Sequence, residues 1–153
     1  MRALELKIPP VAVLLISAFV MWLLAKATPA LDFVLPYAAG IATLIAVPGL
    51  VVAVEGVRVF RRHATTVNPI KPGEASSMVT EGVYRYTRNP MYLGLACCTF
   101  AWGLYLQNFA AFLFVFVFVA YMTHFQIKPE ERALQELFGA EYTEFSSRVR
   151  RWI

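Results

Sequence analysis

The chain has 153 residues, of which 59% are hydrophobic and 16% charged, with a formal net charge of +4, and its mean hydropathy is +0.58. So apolar and sparsely charged a composition excludes an ordinary soluble domain and indicates a membrane protein. The length allows one compact bundle, a single domain over 1–153 with no visible internal repeat, and the basic excess reads as contact with anionic headgroups of the lipid bilayer, with no nucleic acid implied.

Residues 8–25 are uncharged and bracketed by Lys7 and Lys26, and residues 33–54 are uncharged and interrupted only by Pro36, Gly40, Pro48 and Gly49. Each is long enough to span, since about 20 residues cross the hydrocarbon core. The first also resembles a secretory signal, but its apolar run exceeds the roughly 7 to 15 residues of a signal core, and Lys26 inside the cleavage-like triplet disfavours processing. From 89 to 123 no Asp, Glu, Lys or Arg occurs, and Gln107-Asn108 marks the middle. This predicts a hairpin of two helices turning at the far membrane face, its first arm, 91–106, short enough to need shelter from its neighbours. The fold class is therefore an all-α integral membrane protein of about four transmembrane helices, with a C-terminal helical hairpin and a cytoplasmic amphipathic C-terminal helix. Residues 1–60 carry two N-terminal spans, and 61–153 carry a loop, the hairpin and the last helix.

Basic residues orient these spans. Of the 14 lysines and arginines, all but Lys26 fall before span one, between spans two and three, or after span four, which predicts cytoplasmic termini and a cytoplasmic central loop. Cys97 and Cys98 are adjacent within a span, and His63 and His124 are the only histidines. Neither a disulfide framework nor a metal site is expected.

Two polar blocks flank the hairpin. The loop 61–87 is longer than a passive connector needs, and residues 82–94, GVYRYTRNPMYLG, set three tyrosines and two arginines at the start of span three. Tyr84, Tyr86 and Tyr92 offer electron-rich faces to a sulfonium or quaternary ammonium group, and Arg85 and Arg88 offer forked donors to a carboxylate or phosphate. The competing reading is interfacial anchoring. Asn89-Pro90 predicts an N-cap and a first helical turn. In the second block, 129–142, Pro129 opens a helix whose first turn holds Glu130 and Glu131, where the helix dipole favours them. Leu134, Leu137, Phe138, Tyr142 and Phe145 give it an apolar face. At the end of span two, Glu55 and Arg58 are spaced to pair, and Glu55 near membrane depth is a candidate for lining the substrate route.

The run RNPMYLG at 88–94, preceded by VTEGVYRY at 79–86, resembles the signature of the isoprenylcysteine carboxyl methyltransferase family and its phospholipid methyltransferase relatives, and E-E-x-x-L-x-x-x-F-G-x-x-Y at 130–142 is similar to that family's C-terminal pattern. The resemblance covers about 76–153 and implies an S-adenosyl-L-methionine-dependent membrane methyltransferase without a Rossmann domain, in keeping with the lack of a G-x-G-x-x-G motif. It would assign the cofactor to Ser76, Ser77, Met78, Val79, Tyr84, Asn89, Pro90, Met91, Tyr92 and Glu130, with a lipophilic or small-molecule methyl acceptor (carboxylate, thiol or amine) and no metal. Family members often have histidine where this chain has Asn89, which argues against a necessary base there. Enzymes acting on prenylated cysteine have arginine where this chain has Gln126, a candidate substrate-binding position, which points away from a prenylcysteine carboxylate. Glu131 and His124 are the candidate catalytic bases. An NADPH-dependent sterol-type membrane reductase using Arg61, Arg62 and Lys71, and a non-catalytic small membrane subunit, are the alternatives. In its size the chain resembles the small bacterial or archaeal members of that family, which implies a prokaryotic inner (plasma) membrane.

Overall fold

The computed structural model describes residues 5–62 and 78–153. Among the described residues five α-helices make up the bundle: α1 (Pro10–Ala27), α2 (Ala38–Arg62), α3 (Pro90–Leu106), α4 (Phe109–Met122) and α5 (Lys128–Arg148). Among the described residues the only β-pairing is an isolated bridge between Asp32 and Asn108. Helices α1 and α2, and the continuous helix that begins at Phe109, are long and apolar enough to cross a membrane, whereas α3 is shorter. Leu15, Leu44 and Phe116 point outward, each more than half exposed, as apolar side chains facing lipid do.

The short helix α3 is the centre of the bundle and packs against α1, α2 and α4. Its approach to α2 is nearly backbone to backbone: a Cβ added at Gly94 would lie 2.4 Å from the Gly49 carbonyl oxygen and 2.6 Å from Ala53 Cβ, and one at Gly49 would lie 2.4 Å from Cys97 Cβ. Lipid tails give apolar helices no hydrophobic reason to associate, so close packing over small residues holds such pairs. Trp102 Nε1 donates to the Ala18 carbonyl at 3.0 Å and ties α3 to α1.

The predicted hairpin turn is where Gln107 and Asn108 stand. Gln107 adopts φ +51° and Asn108 caps α4, its Oδ1 accepting from Ala111 N–H at 3.1 Å. The fully buried Asn108 amide donates to the Thr28 carbonyl and to Asp32 Oδ1, both at 2.8 Å. Because an unpaired polar group here would be costly, this turn also fixes the α1–α2 connection.

At the opposite end two local expectations are corrected. Helix α5 does not begin afresh at Pro129: α4 runs through a π turn (Thr123–Ile127) straight into α5, and Ile127 is itself helical at φ −65°, ψ −51°. Proline inside a helix orphans the carbonyl four residues earlier. Here that carbonyl, of Phe125, accepts instead from Leu6 N–H at 2.9 Å. Glu130 and Glu131 therefore do not sit at a free helix start, and the dipole argument for them fails. The helix breaks later, at Gly139 (φ 50°, ψ −116°), which turns Tyr142 and Phe145 back into a buried cluster with Val59, Val79 and Tyr84.

Candidate active site

Both polar blocks meet at one end of the bundle, around a partly open cavity. Helix α2 contributes Phe60; the segment before α3 contributes Met78, Val79, Tyr84, Arg88 and Asn89; α3 contributes Met91 and Tyr92; and α5 contributes Glu130, Glu131, Leu134, Tyr142 and Phe145. Tyr84 is delivered by a 3-10 turn (Gly82–Arg85) that Gly82 enters at φ +58°, a backbone state that glycine adopts without strain. The Tyr84 ring packs on Phe60, centroids 5.2 Å apart. Its hydroxyl is buried with no hydrogen-bond partner among the described residues.

At the floor of the cavity Tyr92 Oη donates to Glu130 Oε1. Glu130 keeps some exposed surface, but its carboxyl lies deep among its neighbours. Burial therefore pushes its pKa up to about 8; the Tyr92 hydrogen bond opposes that rise and the Glu131 charge adds to it. Burial and the Glu130 carboxylate push the Tyr84 phenol up. Tyr142 is raised by burial and by Glu131, against the lowering influence of Arg88 and Arg151.

Glu131, one residue on, is bound by cations. Arg151 Nε and Nη2 reach its two oxygens at 2.9 and 2.7 Å, and Arg88 Nη2 lies 3.2 Å from Oε1. The hydrogen bond to Glu131 raises the Arg151 pKa further. Arg88 also donates to Tyr142 Oη at 3.2 Å and lies 6.0 Å over that ring.

Of the residues singled out in the sequence, Met78, Val79, Tyr84, Asn89, Met91, Tyr92, Glu130 and Glu131 line this cavity, and Pro90 is buried behind it against Gly56. Ser76 and Ser77 lie outside the described residues. Asn89 holds the N-cap position without capping: its Nδ2 donates to the Arg151 carbonyl at 2.9 Å. His124 is exposed on the π turn, away from the cavity lining. Gln126 is fully buried, but its amide donates to the Ile8 carbonyl at 2.7 Å and so fastens the start of α1. Glu55 pairs with Arg58 along α2 and lines neither the cavity nor the apolar groove between α1, α2 and α3, which Arg58 and Arg61 do line. Sequence reasoning missed Phe60, Leu134, Tyr142 and Phe145 as wall residues, and Arg151 as the partner of Glu131. The apolar face of α5 was the available signal for three of the walls, and nothing local marked Arg151.

Residues 37–141, more than half of the chain, match the family model described as phospholipid methyltransferase. An uncharacterized protein of Haemophilus influenzae is 43% identical over 63 residues, 41% of this chain and all of that protein. The protein-S-isoprenylcysteine O-methyltransferase of Saccharomyces cerevisiae is 36% identical over 73 residues (47% of this chain, 30% of the enzyme), and protein-S-isoprenylcysteine O-methyltransferase B of Arabidopsis thaliana is 33% identical over 89 residues (58% and 45%). The chain thus spans less than half the length of these two enzymes. No solved structure matches. With the matched segment running from the start of α2 through Tyr84, Tyr92, Glu130 and Glu131 of the cavity, the chain belongs to the phospholipid methyltransferase family of membrane methyltransferases.

Proposed function

We propose that the chain transfers a methyl group from S-adenosylmethionine, held in this cavity on the cytoplasmic side, to a lipophilic or small membrane-accessible acceptor. The observation that carries the reading is the pairing of tyrosine faces with a buried carboxylate, Tyr84 and Tyr92 about Glu130. Such a wall suits a cationic ligand, and the unpartnered Tyr84 hydroxyl leaves a polar atom for the ligand to satisfy. When bound, the cofactor supplies an activated methyl group on a sulfonium.

The chain's own contribution is position and exclusion of water. Glu130 gives up its proton more readily when a cation enters beside it, and Tyr92 holds that carboxylate in place. Met91 and Tyr92 line both the cavity and the apolar groove whose other walls include Val11, Leu50, Val54 and Leu95. A lipophilic acceptor sliding along the groove would meet the cavity at those two residues. Aligning donor and acceptor contributes up to about 7 to 11 kcal/mol in ideal cases. Glu131, held by two arginines, serves in this reading to orient cations rather than to remove a proton. A nicotinamide reductase is the weaker reading, because Arg61 opens on the groove and not on the cavity.

The test is incubation of the purified protein with methyl-labelled S-adenosylmethionine and, in turn, a lipid extract, an amphipathic thiol and a prenylcysteine. Label in an organic-soluble product, lost in Glu130→Ala, supports the reading. No transfer to any acceptor class by folded protein counts against it.

A further inference from the structure

Arg151 lies beyond the family-matched residues 37–141, yet the segment around it is fastened to the cavity wall at several points. The Arg150 carbonyl accepts from Arg88 N–H at 3.0 Å. The Arg151 carbonyl accepts from Asn89 Nδ2 at 2.9 Å and from Thr87 Oγ1 at 3.4 Å. Trp152 Nε1 donates to Thr123 Oγ1 at 3.2 Å, and its indole packs on the cluster of Tyr92, Met122 and Ile127. Between these anchors the Arg151 guanidinium grips both oxygens of Glu131.

That grip changes what Arg88 can do. The Arg88 side chain is 14% exposed, and its Nε is buried without a partner among the described residues. Its contacts to Glu131 and Tyr142 are both long, at 3.2 Å. It lines the cavity on one side and an open polar cleft on the other. A guanidinium with an unfilled buried donor is suited to a planar carboxylate, which takes two parallel hydrogen bonds. Without Arg151, Glu131 would be that carboxylate, and Arg88 would close on it.

We propose that Arg151 is a positioning residue: by occupying both oxygens of Glu131 it keeps Arg88 from closing on that carboxylate and leaves the Arg88 Nε donor for a carboxylate carried by the ligand in the cavity. The inference rests on the methyl-donor reading, since that cofactor carries an amino-acid carboxylate.

Two thioethers separate this role from a merely structural one: S-adenosylhomocysteine, which has the carboxylate, and 5'-methylthioadenosine, which lacks it. Calorimetry on the full chain in detergent is expected to show tighter binding of the first. Arg151→Gln is expected to weaken S-adenosylhomocysteine about ten-fold or more, the worth of one charge-assisted hydrogen bond, and to leave methylthioadenosine nearly unchanged. Arg88→Gln should abolish the same preference, and Arg151→Gln/Glu131→Gln should restore it, because a neutral partner no longer draws Arg88 away. Equal weakening of both ligands, or no recovery in the double variant, overturns the role of Arg151. Binding of neither ligand by the folded parent chain overturns the methyl-donor reading itself, and this role with it.

Discussion

Glu130→Gln is expected to remove a pH dependence of stability that the buried carboxyl imposes. In the folded chain this group keeps its proton up to about pH 8, against 4.5 for an ordinary glutamate. Between those values the folded state binds more protons than the unfolded state, so stability falls as pH rises. The stability is fully present below pH 4.5 and the loss is complete above pH 8. At about 1.4 kcal/mol for each unit of pH across that window, the total is at most roughly 5 kcal/mol, which corresponds to a fall in Tm on the order of 10 °C for a chain of this size. The assay is thermal unfolding of the ligand-free protein in detergent, followed by tryptophan fluorescence from pH 5 to 9. Glutamine keeps an oxygen for the Tyr92 hydroxyl, so the variant should melt at nearly the same temperature across the range, and comparison with it cancels every other group that titrates there. A parent chain whose Tm is flat over this window, or a variant that falls in parallel, refutes the argument from burial.

Tyr92→Phe removes the hydroxyl that favours the ionised form of Glu130; the pH at which stability is lost should move higher, and S-adenosylhomocysteine should bind more weakly by calorimetry. Gly94→Val forces side-chain atoms onto the Gly49 carbonyl and Ala53 and should destabilise by about 1 to 3 kcal/mol, whereas Gly40→Ala, with nothing within 4 Å of the new Cβ, should melt like the parent. Asn108→Ala strips the buried partner from Thr28, Asp32 and Ala111 and should cost about 1 to 3 kcal/mol in thermal unfolding, while thioether affinity well below Tm stays unchanged because the turn lies at the far end from the cavity.

The helices were legible because charge stops where membrane begins: the gap between Arg88 and Lys128, divided by Gln107 and Asn108, marked both arms of the hairpin and its turn. The cavity was legible through two polar blocks that flank that hairpin and therefore return to the same end of the bundle. What escaped was set by contacts distant in sequence. Pro129 read as a helix start because no local signal showed Leu6 supplying a donor to Phe125. The π turn that results carries His124 to the outside. Gln126 read as a substrate contact; its amide nitrogen is used on the Ile8 carbonyl, while its Oε1 is buried with no partner among the described residues. Asn89 read as a cap because its partner, the Arg151 carbonyl, stands in a segment with no pattern to mark it, and the same segment supplies the guanidinium that pairs with Glu131.

The most direct test of the central claim, that the cavity around Tyr84, Tyr92 and Glu130 is a methyl-donor site, is calorimetric binding of S-adenosylhomocysteine to the purified protein, beside NADPH and a Glu130→Ala variant. Saturable binding of the thioether, weakened by the substitution, is expected, with none of NADPH. Binding of NADPH with indifference to the thioether, or binding of the thioether that ignores Glu130→Ala, would contradict it.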